Sequence, residues 1–246
     1  MSMISNPIIM KQNPLILAEF EKAFSEVDHD VVNILLNELQ NVFKIEENRM
    51  DLFNYEKVLD RKIIIPASRF KELGKFGVNA TDNIFNSLKK ISDTSAVVRN
   101  FVDHNNKPIK AKTIRLIDDV TLYERGALYD KREQAFEIQF NEWFLQIGNR
   151  HYNVQVGNYT KLDLTCVSSI KGKHAKTLYE LLLSKEHRGT SFSLKLIQLQ
   201  KLFGLKDKPL SQIVAIIKRV QPKVSEHIDF EYTVFKKDKM ISFKYL

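Results

Sequence analysis

The sequence predicts an α+β protein made of two consecutive halves that share one order of elements. Three observations carry this. First, 246 residues correspond to one large domain or two small ones. Second, both halves switch between helical and alternating hydrophobic periods, with helices leading and paired strands following. Third, charge divides unevenly along the chain. Residues 1–150 hold 21 Lys+Arg and 22 Asp+Glu, a net of −1, while residues 151–246 hold 17 and 8, a net of +9. The hydrophobic content of 43% and charged content of 28% are ordinary for a globular protein. With only 8 Gly and 6 Pro, a fibrous or wholly disordered chain is excluded.

Residues 1–14, with Pro7 and Pro14, read as a loose arm. From Ile16 to Val42 the pattern is helical, in two helices broken near Val27-Asp28, with Phe20, Phe24, Val31, Ile34, Leu35 and Leu39 as core positions. Arg61–Pro66 reads as a strand stopped by proline, and Ser68–Leu73 as a short helix closed by Gly74. Thr81 is suited to cap a helix running through Ile84, Phe85, Leu88 and Ile91. Strands are expected at Val97–Val102, Lys112–Val120, Thr121–Leu128 and Gln134–Phe140, with a turn at His104–Pro108. Glu142–Gln146 and Gly148–Gly157 form the junction between the halves.

In the second half, Lys161–Glu186 reads as helical, with Gly172 dividing it. Ser191–Leu194 alternates like a short strand. Leu196, Leu199, Leu202 and Phe203 mark one face of a short helix that Gly204 can terminate. Pro209 opens the next helix, where Ile213, Ile216, Ile217, Val220 and Val224 form one apolar stripe. Pro222 is expected to kink or break that helix near its end. Phe230–Phe235 and Met240–Phe243 alternate as the two strands of a hairpin whose tip is Lys236-Lys237-Asp238-Lys239.

Helix, short strand, helix, helix and hairpin is the order of the winged-helix variant of the helix-turn-helix. The predicted fold is therefore α+β, with two tandem winged-helix (helix-turn-helix) domains at residues 1–150 and 151–246. The basic balance of the second half points to a polyanion, most commonly nucleic acid. A helix can enter the major groove when its exposed face carries donors for phosphates and base edges. Lys208, Gln212, Lys218, Arg219 and Lys223 supply such donors, and Lys236, Lys237 and Lys239 place cations on the hairpin tip. In the first half, Lys89, Lys90 and Arg99 are the candidates for a secondary DNA contact.

A family resemblance adds to this. Asn158–Leu162 leads into Ser168–Leu182, and the run resembles the segment LKSKYAIRLYELL of plasmid replication initiators of the iteron-binding Rep type. Leu199–Leu205 is similar to that family's LRxLLGL, and Ile217–Val224 to its FKRRVLxPAIxEI. The match is strongest over the last third of the chain. Gly172 and His174 depart from the more usual Ser and Tyr, Ile217 replaces an aromatic, and Val220 stands where a second Arg is usual. The resemblance implies two winged-helix domains that bind double-stranded origin DNA at direct repeats of about 20 bp, two helical turns. It implies a monomer that helps open the origin and recruit the host initiator and replicative helicase. It also implies a homodimer, joined largely through the N-terminal domain, that represses its own gene. Lys218, Arg219 and Lys223 take the DNA-contact role by this resemblance, and Lys171 and Lys173 become phosphate contacts. The alternative is a winged-helix transcription regulator that binds an inverted repeat as a stable dimer. A further alternative is an interaction module whose basic half binds an acidic partner.

Other functions find little support. Lys171-Gly172-Lys173-His174 hints at a phosphate loop, but Val167 and His174 occupy the places of the required Gly and Ser/Thr. The six histidines have no metal-ligand spacing, and Asp28-His29-Asp30 reads as an acidic helix junction. No His-x-His pair accompanies a tyrosine nucleophile, which argues against a nicking initiator. No catalysis, cofactor or metal is expected. The single Cys166 excludes an intrachain disulfide and reads as a small buried hydrophobe. No apolar run is long enough for a membrane span, and Met1–Met10 lacks the basic start of a secretory signal. A bacterial cytoplasmic location is the expectation.

Overall fold

The computed structural model describes residues 8–47, 62–103, 107–127, 133–149, 153–154, 156–186 and 189–246. It begins with a strand where the sequence suggested a loose arm. β1 (Ile8–Gln12) leads into a single helical turn, α1 (Asn13–Ile16), where Pro14 sits at a position whose missing N–H costs nothing. β2 (Glu19–Phe20) follows, then the long α2 (Glu26–Glu47). Of the two helices expected from Ile16 to Val42 only the second is present, as α2; beyond Ile16 the place of the first is taken by a turn, β2 and a bend. The break lies just before Val27, because Ser25 and Asp28 cap each other there: Ser25 N–H donates to Asp28 Oδ2 at 2.6 Å and Asp28 N–H to Ser25 Oγ at 3.2 Å.

β3 (Lys62–Pro66), α3 (Ala67–Leu73) and α4 (Ala80–Ser92) match their expected places. α4 starts ahead of Thr81, with Asn79 rather than Thr81 in the cap position. It buries Ala80, Ile84, Ser87, Leu88 and Ile91, one helical face. β4 (Ser95–Val102), β5 (Pro108–Arg115), β6 (Ile117–Tyr123) and β7 (Ala135–Phe140) supply the sheets. The strand expected over Lys112–Val120 is in fact parts of β5 and β6. Leu116 and Ile117 are both buried in succession, which an alternating strand cannot do, so the chain changes sheets there. The turn expected at His104–Pro108 lies largely outside the described residues. α5 (Glu142–Gly148) occupies the start of the expected junction.

β8 (Tyr159–Asp163) pairs antiparallel with β1, so Lys161–Asp163 is strand rather than helix. A strand whose partner lies some 150 residues earlier leaves no local signal. α6 (Leu164–Ser169) and α7 (Lys173–Glu186) are separated at Gly172, whose φ of 98° only glycine adopts readily. β9 (Ser191–Lys195), α8 (Leu196–Leu202), α9 (Leu210–Ser225), β10 (Phe230–Phe235) and β11 (Met240–Tyr245) complete the chain. α9 continues through Pro222 instead of breaking. Pro222 is solvent-facing, so water can take the carbonyl it leaves unpaired, while buried Val220 and Val224 anchor the turns on either side.

Two three-stranded sheets share one topology. β3, β7 and β6 are ordered first, third, second, and β9, β11 and β10 repeat that order. Each follows a helix–strand–helix–helix sequence: α2, β3, α3, α4 in the first half and α7, β9, α8, α9 in the second. The β4–β5 hairpin, paired with β2, is an insertion in the first half. Buried apolar side chains from both halves form one continuous core, from Ile9 to Phe243.

Within the contact between the halves lies a buried polar cluster. Lys11 Nζ, on β1, donates to Glu180 Oε2 of α7 at 2.8 Å and to Asn33 Oδ1 of α2 at 2.9 Å. Asn33 Nδ2 closes the triangle by donating to Glu180 Oε1 at 2.9 Å. Lys176, with no exposed surface, is ion-paired to Asp30. His29 Nε2 lies 3.4 Å from Thr177 Oγ1. β1 is further held along its backbone: Met10 N–H donates to Gln40 Oε1 at 3.0 Å, and Gln40 Nε2 donates to the Met10 carbonyl at 2.7 Å. The Asp28-His29-Asp30 junction lies at the start of α2 and is buried, with Asp28 and Asp30 3% and 5% exposed. Cys166 also differs from its expected role. It is half-buried, its S–H donates to Tyr179 Oη at 3.2 Å, and it lies 3.3 Å from His227 Nδ1.

These buried groups titrate abnormally. Burial, ahead of the neighbouring charges, lowers His29 to about 4. Burial likewise raises Asp30 to about 6, against the pull of Lys176. Burial alone would raise Glu180, but Lys11 and His29 outweigh it and lower the carboxyl.

Two outcomes follow from this packing. Asp30→Ala leaves buried Lys176 with only the longer contact to Glu26, at 4.0 Å, and chemical denaturation will show a loss of about 3–5 kcal/mol, most of it recovered when Asp30→Leu is combined with Lys176→Met. His29 is held neutral in the folded state, so its contribution is present above the ordinary histidine range and lost on acidification. Between pH 7 and pH 5 this loss is about 2 kcal/mol. Asp30 runs the other way, its contribution growing as pH falls through its raised pKa. His29→Gln will therefore flatten the acid side of the wild-type stability–pH curve by about that amount.

Candidate nucleic-acid interface

α9 is amphipathic by construction. Ile213, Ile217, Val220 and Val224 are buried against the core, which turns Gln212, Lys218, Arg219 and Lys223 to solvent. Lys208, in the turn before the helix, is also exposed. Its carbonyl accepts from Gln200 Nε2 at 2.7 Å, which fixes the approach from α8 into α9. Gly204, φ 63°, makes the turn between them.

The start of α7 joins this surface. Lys223 Nζ donates to the Lys171 carbonyl at 3.2 Å, so the end of α9 touches the turn that precedes α7. Lys171 is exposed and Lys173 half-buried. The field of this cluster is felt by a neighbour. Burial first, then the charges of Lys173 and Arg219, lower His174 to about 4. Lys171, Lys173, Arg219 and Lys223 therefore form one basic patch across two elements far apart in sequence.

The hairpin tip forms a second patch. Lys236, Lys237 and Lys239 are exposed, and Lys239 takes a left-handed φ of 48° to close the turn. The Lys239 carbonyl accepts from Leu196 N–H at 2.7 Å, which ties the tip to the start of α8. This places Lys195, exposed and paired in register with Met240, beside the tip. Reading the sequence alone missed Lys195, because its position depends on the β9–β11 pairing.

The second-half candidates share one property. Among the described residues, none of Lys171, Lys173, Lys195, Lys208, Lys218, Arg219, Lys223, Lys236, Lys237 and Lys239 forms an ion pair. The first-half candidates differ. Lys90 Nζ lies 2.5 Å from Asp28 Oδ2 and donates to the Ala23 carbonyl at 2.8 Å. Arg99 Nε pairs with Glu19 Oε1 at 3.0 Å, and Lys201 pairs with the same oxygen at 3.0 Å. Lys89 is exposed, but it shares the outer face of α4 with Asp82 and Asp93. The structure thus places the second-half candidates on α9, around the start of α7 and on the hairpin tip, and pairs Lys90 with Asp28 and Arg99 with Glu19. A first-half basic stretch that the sequence reading passed over is β5, where Lys110 and Arg115 are exposed and Lys112 Nζ stands 3.2 Å over the Trp143 ring.

Among the described residues no helix is long and apolar enough to cross a membrane. The described His, Cys, Asp and Glu form no group of three or more that could hold a metal ion.

Comparison with known proteins agrees with this layout. The chain is similar over 99% of its length to a solved structure described as the crystal structure of Pi initiator protein in complex with iteron DNA. That likeness covers 98% of the other chain at 12% identity, with a TM-score of 0.53. It is a likeness of fold. No curated protein matches the chain. A family model described as Initiator Replication protein, WH1, matches residues 8–183, from β1 through most of α7. That span is well over half of the sequence, and the chain belongs to the initiator replication protein family.

Proposed function

We propose that this protein is a plasmid replication initiator that binds repeated origin DNA, or iterons, sequence-specifically. The observation that carries the reading is the set of cations on α9, the turn before α7 and the hairpin tip, which have no ion-pair partner among the described residues. Such charges are free to replace counterions on a phosphate backbone. The two halves act as tandem winged-helix domains, residues 1–150 and 151–246, supported by the repeated strand order. α9 is the recognition helix of the second, with Gln212 and Arg219 facing base edges and Lys218, Lys223, Lys171 and Lys173 facing phosphates. The hairpin tip is its wing. The likeness of fold to an initiator solved in complex with iteron DNA supports iteron DNA as the target.

Family membership supports further roles. The protein helps open the origin, recruits the host initiator and the replicative helicase, and represses its own gene as a homodimer. The near-neutral first half, with Lys90 and Arg99 held internally, suits dimerisation better than strong DNA contact.

A gel-shift series on the full chain, with cloned direct and inverted repeats of about 20 bp, tests this. Direct repeats will bind, and affinity will fall steeply with salt, by about 0.9 log units per log unit of salt for each phosphate neutralised. Binding to the inverted repeat alone would instead identify a dimeric transcription regulator. Equal binding to random DNA would overturn sequence-specific recognition.

Helix and wing separate by substitution. Arg219→Ala will lose about 1–3 kcal/mol on the specific site and relax specificity, while Lys237→Ala will weaken all sequences alike and reduce the salt slope by about 1. The converse result reverses the two assignments.

A further inference from the structure

The boundary between the halves has an open side as well as a buried one. A cleft of about 440 Å³ runs along it. Glu19, Arg99 and Asn100 lie on the first-half wall, Gln198 and Lys201 on the wall formed by α8, and Lys185 at the end of α7. Three cations therefore line the cleft against one carboxylate.

That carboxylate is shared. Glu19 Oε1 accepts from Arg99 Nε and from Lys201 Nζ, each at 3.0 Å. Among the described residues Arg99 makes its side-chain hydrogen bond through Nε alone, so the outer nitrogens of the guanidinium stay open as donors. Both cations reach solvent, Arg99 with 48% and Lys201 with 42% of the side chain exposed. A bridge this exposed adds little to stability.

The cleft continues the hairpin tip. The Lys239 carbonyl accepts from Leu196 N–H at 2.7 Å, and Lys195 N–H donates to Gln198 Oε1 at 2.9 Å. Lys195, Gln198 and Lys201 follow one another at three-residue spacing along α8, which makes them neighbours on its surface. A line of donors thus leads from the tip to Arg99. A phosphodiester is a chemical substitute for the carboxylate at its end. Each carries one negative charge over two terminal oxygens, and each pairs with guanidinium and ammonium groups through charge-assisted hydrogen bonds.

We propose that Arg99 and Lys201 form a seat for a backbone phosphate of bound DNA, which Glu19 fills in the absence of DNA and yields to the duplex. The inference rests on the reading of the hairpin tip as a wing that lies on DNA. Glu19 acts as a built-in competitor. It neutralises the pair until a strand held by the wing brings a phosphate within reach, and so lowers the affinity for all DNA alike. The seat positions the backbone and reads no base.

The test uses the full chain, a duplex selected by the wild type from a random library, and a scrambled duplex of the same length. Glu19→Gln keeps the shape and the acceptor and removes the charge. It will bind both duplexes about 3- to 5-fold more tightly, with their ratio unchanged. Glu21→Gln makes the same change in net charge two residues away, on an exposed side chain that accepts from Ser95 Oγ and touches neither cation. It will bind as the wild type does. Adding Lys201→Gln to Glu19→Gln will abolish the gain. In ethylation interference on the selected duplex, one phosphate outside those that depend on Lys237 will be required by the wild type and dispensable to Lys201→Gln.

Equal gains in Glu19→Gln and Glu21→Gln overturn the inference, since net charge alone then explains them. An unchanged DNA affinity in folded Glu19→Gln overturns it, as does a gain that survives Lys201→Gln. If Glu19→Gln does not fold, an ethylation pattern shared by the wild type and Lys201→Gln overturns it. Tighter binding of inorganic phosphate by Glu19→Gln without tighter binding of DNA makes the cleft a small-anion site and also overturns it. If the wild type selects no sequence, the iteron reading falls, while a gain of Glu19→Gln on random duplexes still supports the seat. If the wild type selects a site and Glu19→Gln binds it no more tightly, only the seat falls.

Discussion

Two lysines removed from water, Lys11 and Lys176, hold the architecture together. Each is neutralised by a carboxylate across the boundary between the halves, Lys11 by Glu180 and Lys176 by Asp30. Buried charges are stable only when paired and hydrogen-bonded. Here the pairing constrains geometry: α2, β1 and α7 can satisfy these groups in one arrangement, with Asn33 closing the Lys11–Glu180 contact. An apolar contact of the same area would tolerate sliding, whereas this one leaves an unpaired charge if either half shifts. Such an interface favours specificity of arrangement over raw stability.

α7 transmits that constraint to the functional surface. Lys176, Thr177 and Glu180 lie on its side facing α2, at helical spacing. Its first turn carries Lys173 and His174 to α8 and α9. One helix is therefore clamped to the first half at its middle and supports the proposed recognition helix at its beginning. β8, paired with β1, leads into it through α6 and adds a backbone tie to the ionic one. The orientation of α9 is set from both sides of the molecule.

Charge is used differently in the two halves. First-half cations such as Lys90, Arg99 and Arg69 are spent on Asp28, Glu19 and Glu38 within the fold. Among the described residues, the second-half cations on α9 and at the hairpin tip form no ion pair, while Lys244 on β11 pairs with Glu231. The split between −1 and +9 thus accompanies a difference in how many cations find a carboxylate, although Lys176 of the second half is itself buried against Asp30. Lys201 crosses the division, since it belongs to α8 but joins Arg99 on Glu19.

By itself the sequence determined the elements whose signals are local. The α9 stripe, the hairpin with its lysine tip, the strand at Ser191, Gly204 as a helix terminator and the pairing of β10 with β11 all follow from periodicity and turn chemistry within a few residues. The basic second half and its candidate side chains were legible for the same reason. Tertiary structure alone decided the rest, where the cause lies far along the chain. The loose arm became β1 because β8 offered a free edge, and Lys112–Val120 divided because its ends belong to different sheets. Pro222 stayed within α9 because packing outweighed one lost hydrogen bond. Lys90 and Arg99 gain ion-pair partners because Asp28 and Glu19 reach them only in the folded chain. A charge can be counted in a sequence, but whether it is free depends on which opposite charge the fold brings within a few ångströms.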